Sequence, residues 1–127
     1  MNTWRSRLAT GLFFWLAMAL HVDLTANVQN TDAGMLLFHG SAAIFDLMLI
    51  YMVPAFLSGQ LASDMEALCI ASIVANFVGW IAYTAYAPPI YYNVFMWGLA
   101  YVQWARLFIM GDDDANYHGL YMVRRNS

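Results

Sequence analysis

The stretch from Met35 to Leu57 decides what this chain can fold into, because it runs 23 residues with only two side chains that ionise near neutral pH, His39 and Asp46. About 20 predominantly apolar residues are enough for a helix to cross the hydrocarbon core of a bilayer. A helix on the surface of a soluble protein instead carries a polar face along its whole length. Composition points the same way. The chain of 127 residues is 62% hydrophobic and 10% charged, and it contains no lysine; a soluble domain is about 45–50% apolar and about 25% charged. So much apolar surface has to face lipid or other subunits. The net charge of −3 leaves no basic stripe for phosphates, which argues against nucleic-acid binding. Cys69 is the single cysteine and lies in an apolar run, so it reads as a packing residue that forms no intrachain disulfide.

Three further apolar runs flank this one, and together they predict an all-α integral membrane protein with four transmembrane helices in an antiparallel bundle. The expected spans are about 5–23, 34–57, 64–87 and 89–110, making residues 1–111 one transmembrane domain. The first resembles a signal peptide in its Arg5, Arg7 and following apolar stretch, and is expected to stay in place as a signal anchor. Thr31 or Asp32 is expected to cap the second helix. Pro54 should loosen the last turn of that helix. Ser63-Asp64-Met65-Glu66 has the pattern of a capping box, which places the start of the third helix at Asp64. Ala67, Ala71, Ala75 and Gly79 recur every four residues in that helix and form a small-residue packing stripe. Pro88-Pro89 ends the third helix and opens the fourth, and Gly111 is expected to terminate it. The tail, 112–127, is polar, with Tyr117, Leu120 and Tyr121 at the spacing of a partly interfacial helix.

Arginine placement sets the expected orientation. Arg5, Arg7, Arg106, Arg124 and Arg125 all fall on one side, and the two opposite loops carry none, so both termini should be cytoplasmic. Tyr83, Tyr86, Tyr91 and Tyr92 then form an outer aromatic belt, and Trp4 and Trp104 an inner one.

An ionised carboxylate at the bilayer midplane costs roughly 2.5–3.5 kcal/mol on insertion scales, so Asp46 needs a partner or a task. Asn76 lies at nearly the same depth and is the first expected partner. Gln103 lies about one turn further in, and Arg106 another turn beyond. His39 sits two turns along the same face of the helix. These five side chains, Asp46, His39, Asn76, Gln103 and Arg106, form the candidate intramembrane polar site. It reads either as a proton- or cation-responsive site with Asp46 as carrier, or as a hydrogen-bonded layer that holds the helices together. His21 and His39 should approach one another near the outer surface beside Asp23. Metal-ligand spacing is absent, and Asp112-Asp113-Asp114 lacks the alternation of a calcium loop, so neither a metal nor a cofactor is expected. There is also no nucleophile elbow, P-loop or dinucleotide fingerprint, and no enzymatic activity is expected.

In size, span number and charged tail the chain is similar in layout to phage holins, a likeness of arrangement that rests on no specific motif. It implies a bacterial or phage-encoded protein of the cytoplasmic membrane that oligomerises and forms a pore or channel. Two other expectations stand beside it: a non-catalytic anchoring or scaffolding subunit of a larger membrane complex, and a small proton-coupled transporter. All three make the lipid bilayer and other membrane subunits, identical or not, the partners.

Overall fold

A computed structural model of the chain describes residues 2–110. The expected Gly111 cap, the acidic run Asp112–Asp114 and the interfacial tail helix lie outside the described residues. Four α-helices follow one another: α1 Trp4–Thr25, α2 Asp32–Phe56, α3 Gly59–Thr84 and α4 Pro89–Trp104, the last continuing into a π-helical turn, Ala105–Ile109. The regular structure of the described residues is all helical, and α1, α2 and α3 are long and apolar enough to cross a membrane. At 16 residues α4 is shorter.

Local chemistry explains where the helices begin. Thr3 caps α1, its hydroxyl accepting from the Ser6 amide at 3.1 Å. Thr31 does the same for α2 through the Gly34 amide at 2.9 Å. The third helix begins at Gly59, five residues ahead of the start expected from the capping box. The difference has a tertiary cause. The α2–α3 connection is only Leu57-Ser58, and Gly59 takes a positive φ of 64°, which a glycine adopts without penalty. Asn2 reaches over from the start of α1 to hold this turn, accepting from the Ser58 amide at 2.8 Å and donating to the Ser58 carbonyl at 3.1 Å. Leu61 and Met65 are then fully buried, so the early start gains apolar contacts that a start at Asp64 would forgo. Asp64 then lies inside the helix, where it meets Arg106 of the π-turn.

The helices pack in chain order, α1 on α2, α2 on α3 and α3 on α4, with the π-turn also reaching α1 and α3. Hydrogen bonds show that successive helices run antiparallel. Asn2 with Ser58, Arg7 with Leu107, and Asp64 with Arg106 meet at one end. Tyr83 with Asp32 meets at the other. The apolar core, built around Phe14, Leu49, Val53, Leu61, Met65 and Leu107, lies toward the arginine-bearing end. Outside, the surface is apolar too: Ile44, Leu47, Phe77, Val78 and Trp97 are all more than half exposed.

The small-residue stripe of α3 is not its packing face. Ala67 is exposed, Ala71 and Ala75 are half-buried, and only Gly79 is buried. The buried face runs through Met65, Cys69, Ser72, Asn76 and Gly79. Residues spaced by four advance about 400°, hence drift about 40° per step around an α-helix. The alanines therefore start on the outer side and reach the contact face only at Gly79.

Candidate intramembrane polar site

Asn76 is the hub of the upper half of the interior. Its side-chain amide nitrogen donates to the Ser72 carbonyl at 2.9 Å, one turn back on α3. That bond fixes which way the amide points, because the opposite orientation would set oxygen against oxygen. Oδ1 then faces two donors, the Tyr92 hydroxyl at 2.6 Å and His39 Nδ1 at 3.1 Å. His39 must therefore carry its proton on Nδ1. Three helices converge here: α2 through His39, α3 through Asn76 and α4 through Tyr92.

Gly79 makes the convergence possible. A Cβ at this position would lie 2.7 Å from the Tyr92 ring and 2.8 Å from His39 Cε1. Without a side chain on α3, the two rings meet edge to face with centroids 4.8 Å apart. Phe38 closes the other side, its ring centroid 5.0 Å from that of His39. His39 is 4% exposed and Asn76 1%.

One turn deeper, the Ser72 hydroxyl donates to Asp46 Oδ2 at 2.6 Å. Asp46 is thus buried in the α2–α3 interface against a hydroxyl, and its partner is Ser72 rather than Asn76. Ser72 joins the two clusters, its carbonyl taking Asn76 and its hydroxyl serving Asp46. Below Asp46 the interior turns apolar at Leu49, Val53, Met65 and Cys69. Polarity returns only at the arginine-bearing end, where Arg106 Nε bonds Asp64 Oδ2 at 2.7 Å and Gln60 bonds the other oxygen, Oδ1, at 2.7 Å.

The expected five-residue site is therefore divided. His39 and Asn76 meet directly, and Asp46 joins them through Ser72. Arg106 belongs to the far end with Asp64, too deep along α4 to serve the upper layer. Gln103 is half-buried and makes no hydrogen bond among the described residues. His21 bonds the Phe38 carbonyl at 2.8 Å, so Phe38 stands between it and His39, and the two histidines do not pair beside Asp23. Among the described residues no three His, Cys, Asp or Glu side chains are grouped to hold a metal ion.

Sequence reasoning missed Ser72, and it placed Tyr92 in the aromatic belt and Gly79 in the packing stripe rather than in this site. Ser72 carried a usable signal, since it precedes Asn76 by four residues and shares its helix face. Tyr92 carried none: it reads as a belt residue like Tyr91, yet Tyr91 is 72% exposed while Tyr92 turns inward.

Chemically, the arrangement offers a buried carboxyl on a hydroxyl and a buried imidazole on an amide. The Ser72 hydroxyl is committed to Asp46 and the His39 proton to Asn76, so the serine and histidine are not arranged as nucleophile and base. Comparison with known protein families, with curated proteins and with solved structures finds no match in any of the three.

Proposed function

We propose that this chain is a non-catalytic, self-assembling membrane subunit that serves as an anchor or scaffold, crossing the bilayer four times with both termini in the cytoplasm. One observation carries the reading: His39, Asp46, Ser72 and Asn76, the polar side chains at mid-depth of α2 and α3, are turned into the protomer and bonded there. What α2 presents outward at this depth is aliphatic, with Ile44, Leu47 and Met48 exposed. A pore between subunits lined by His39 and Asp46 would need those residues on the outside, so the arrangement favours assembly over conduction.

The fourth crossing takes α4 together with its π-turn, 16 residues followed by 5, which at about 1.5 Å per residue approaches the roughly 30 Å hydrocarbon thickness. The orientation draws support from the clustering of Arg5, Arg7 and Arg106 at one end, with Asp32 at the other.

The test is expression in a bacterial inner membrane with two readouts. Extraction in mild detergent should return the chain in complexes larger than one copy, and the membrane potential should survive high expression. Collapse of the potential, prevented by Asp46→Asn, would replace this reading with a pore. A chain recovered only as single copies, without any companion, would overturn it as well.

A further inference from the structure

Building on the reading of the chain as a self-assembling membrane subunit, we propose that the outward face of α4 at Asn93, Trp97 and Tyr101 is the interface with a second copy of the same chain. Two contacts fix the depth of this face. Tyr92 bonds Asn76, and Arg106 bonds Asp64, so α4 runs antiparallel to α3 with its residues between 92 and 106 opposite the middle of that helix. Asn93, Trp97 and Tyr101 follow one another at four-residue spacing on a single face. All three point away from the protomer: Asn93 is exposed, Trp97 is 79% exposed and Tyr101 71%. None of them makes a hydrogen bond among the described residues.

An amide, an indole N–H and a phenol on a lipid-facing surface at this depth are out of place, because hydrocarbon offers no hydrogen-bond partner. Tyr51 on α2 and Trp15 on α1 are also exposed rings, but α4 carries an exposed amide together with two such rings on one face, and it buries none of its own residues between Pro89 and Trp104. Gly98 lies beside this face, and a Cβ built on it would meet nothing within 4 Å. No contact within the protomer requires that glycine, although a glycine inside a helix is destabilising relative to alanine. A second helix laid along α4 gives it a purpose, since small residues let backbones approach in lipid.

The chemistry of the face selects the partner. Asn93 and Tyr101 each donate and accept, so two identical faces related by a twofold axis satisfy one another without any complementary surface having to be supplied. Copies inserted with one topology have their α4 helices at the same depth, which brings Asn93 level with Asn93.

Cysteine cross-linking in native membranes tests this. In a Cys69→Ser background, Trp97→Cys and Tyr101→Cys should give covalent dimers on mild oxidation. Ile44→Cys on α2 and Phe77→Cys on α3, both outward-facing, should not. Asn93→Leu should lower the dimer yield roughly three- to tenfold, the loss expected of one or two interhelical hydrogen bonds, and Asn93→Gln should restore it. Gly98→Leu should abolish cross-linking at position 97. Dimers formed equally well from positions 44 or 77, or an undiminished yield with Asn93→Leu, would overturn the α4 interface while leaving self-assembly in place. No dimer from any position, together with single-step photobleaching of labelled chains in bilayers, would overturn both the interface and the reading it rests on.

Discussion

Ser72 is the residue on which the buried polar chemistry turns. Removing its hydroxyl leaves the Asp46 carboxyl without the partner it has at 2.6 Å, and a buried group deprived of its partner costs about 1–3 kcal/mol. Ser72→Ala should therefore lower stability by about 1–2 kcal/mol in detergent, measured by equilibrium unfolding. Asp46→Leu combined with Ser72→Ala should cost less than the sum of the two single changes, since the double variant has no stranded group. Strict additivity would show that the two side chains are not coupled. Gly79→Ala acts on the neighbouring cluster by a different route. Its methyl would strike the Tyr92 ring and His39 Cε1, so one ring has to leave Asn76. The expected signature is a change in Tyr92 fluorescence or nuclear resonance, together with weakened attachment of α4. In a background free of Gly79 changes, Tyr92→Phe should release only the hydroxyl bond and cost about 0.6 kcal/mol, the mean for intramembrane hydrogen bonds.

At the scale of the elements, the arginine-bearing end works as a clasp. Arg7 Nη1 donates to the Leu107 carbonyl at 2.6 Å and to the Met110 carbonyl at 3.2 Å. A π-turn frees carbonyls from the regular ladder, and a guanidinium from α1 takes them up. Arg106, carried inward by the same turn, meets Asp64 on α3. Arg106→Leu leaves Asp64 facing an apolar neighbour. Because the Asp64 side chain is 31% exposed and in part still solvated, the loss should be about 1–2 kcal/mol, below that of a fully buried pair. Faster backbone hydrogen exchange confined to 101–110 would locate it. The two-residue α2–α3 connection gives a sharper result. Gly59→Ala forces a Cβ into positive φ at 64°, which costs roughly 1–2 kcal/mol, and Asn2→Ala removes the bonds that hold the turn. Both changes should loosen the start of α3 back toward the Ser63–Glu66 capping box.

Across the described residues, most of the outer surface of the helices is apolar while His39, Asp46, Ser72 and Asn76 are bonded within, the inverse of a soluble bundle. The orientation proposed for the chain rests on charge. Reporter domains fused to the two termini should both read as cytoplasmic, and replacing Arg5 and Arg7 while placing two arginines in the 26–31 loop should invert at least the first span. Unchanged topology in that variant would mean that the later arginines dominate insertion.

Sequence by itself determined the number of helices, their apolar character and the presence of an expensive carboxylate in α2. These are properties of consecutive residues: length against bilayer thickness, spacing of prolines, and the Thr31 cap. It also placed Asp46 and Asn76 at nearly the same depth, with His39 two turns away in the same candidate site. Only the tertiary structure decided that Asp46 pairs with Ser72, that Tyr92 turns inward while Tyr91 does not, that Arg106 serves Asp64, and that α3 starts at Gly59. Each of these depends on the rotation of one helix against another. A shift of one residue turns a side chain by about 100°, enough to move it from lipid to core. The Ala67–Gly79 stripe follows the same rule: a four-residue repeat drifts around the helix, so within the chain only its Gly79 end is buried against a neighbour.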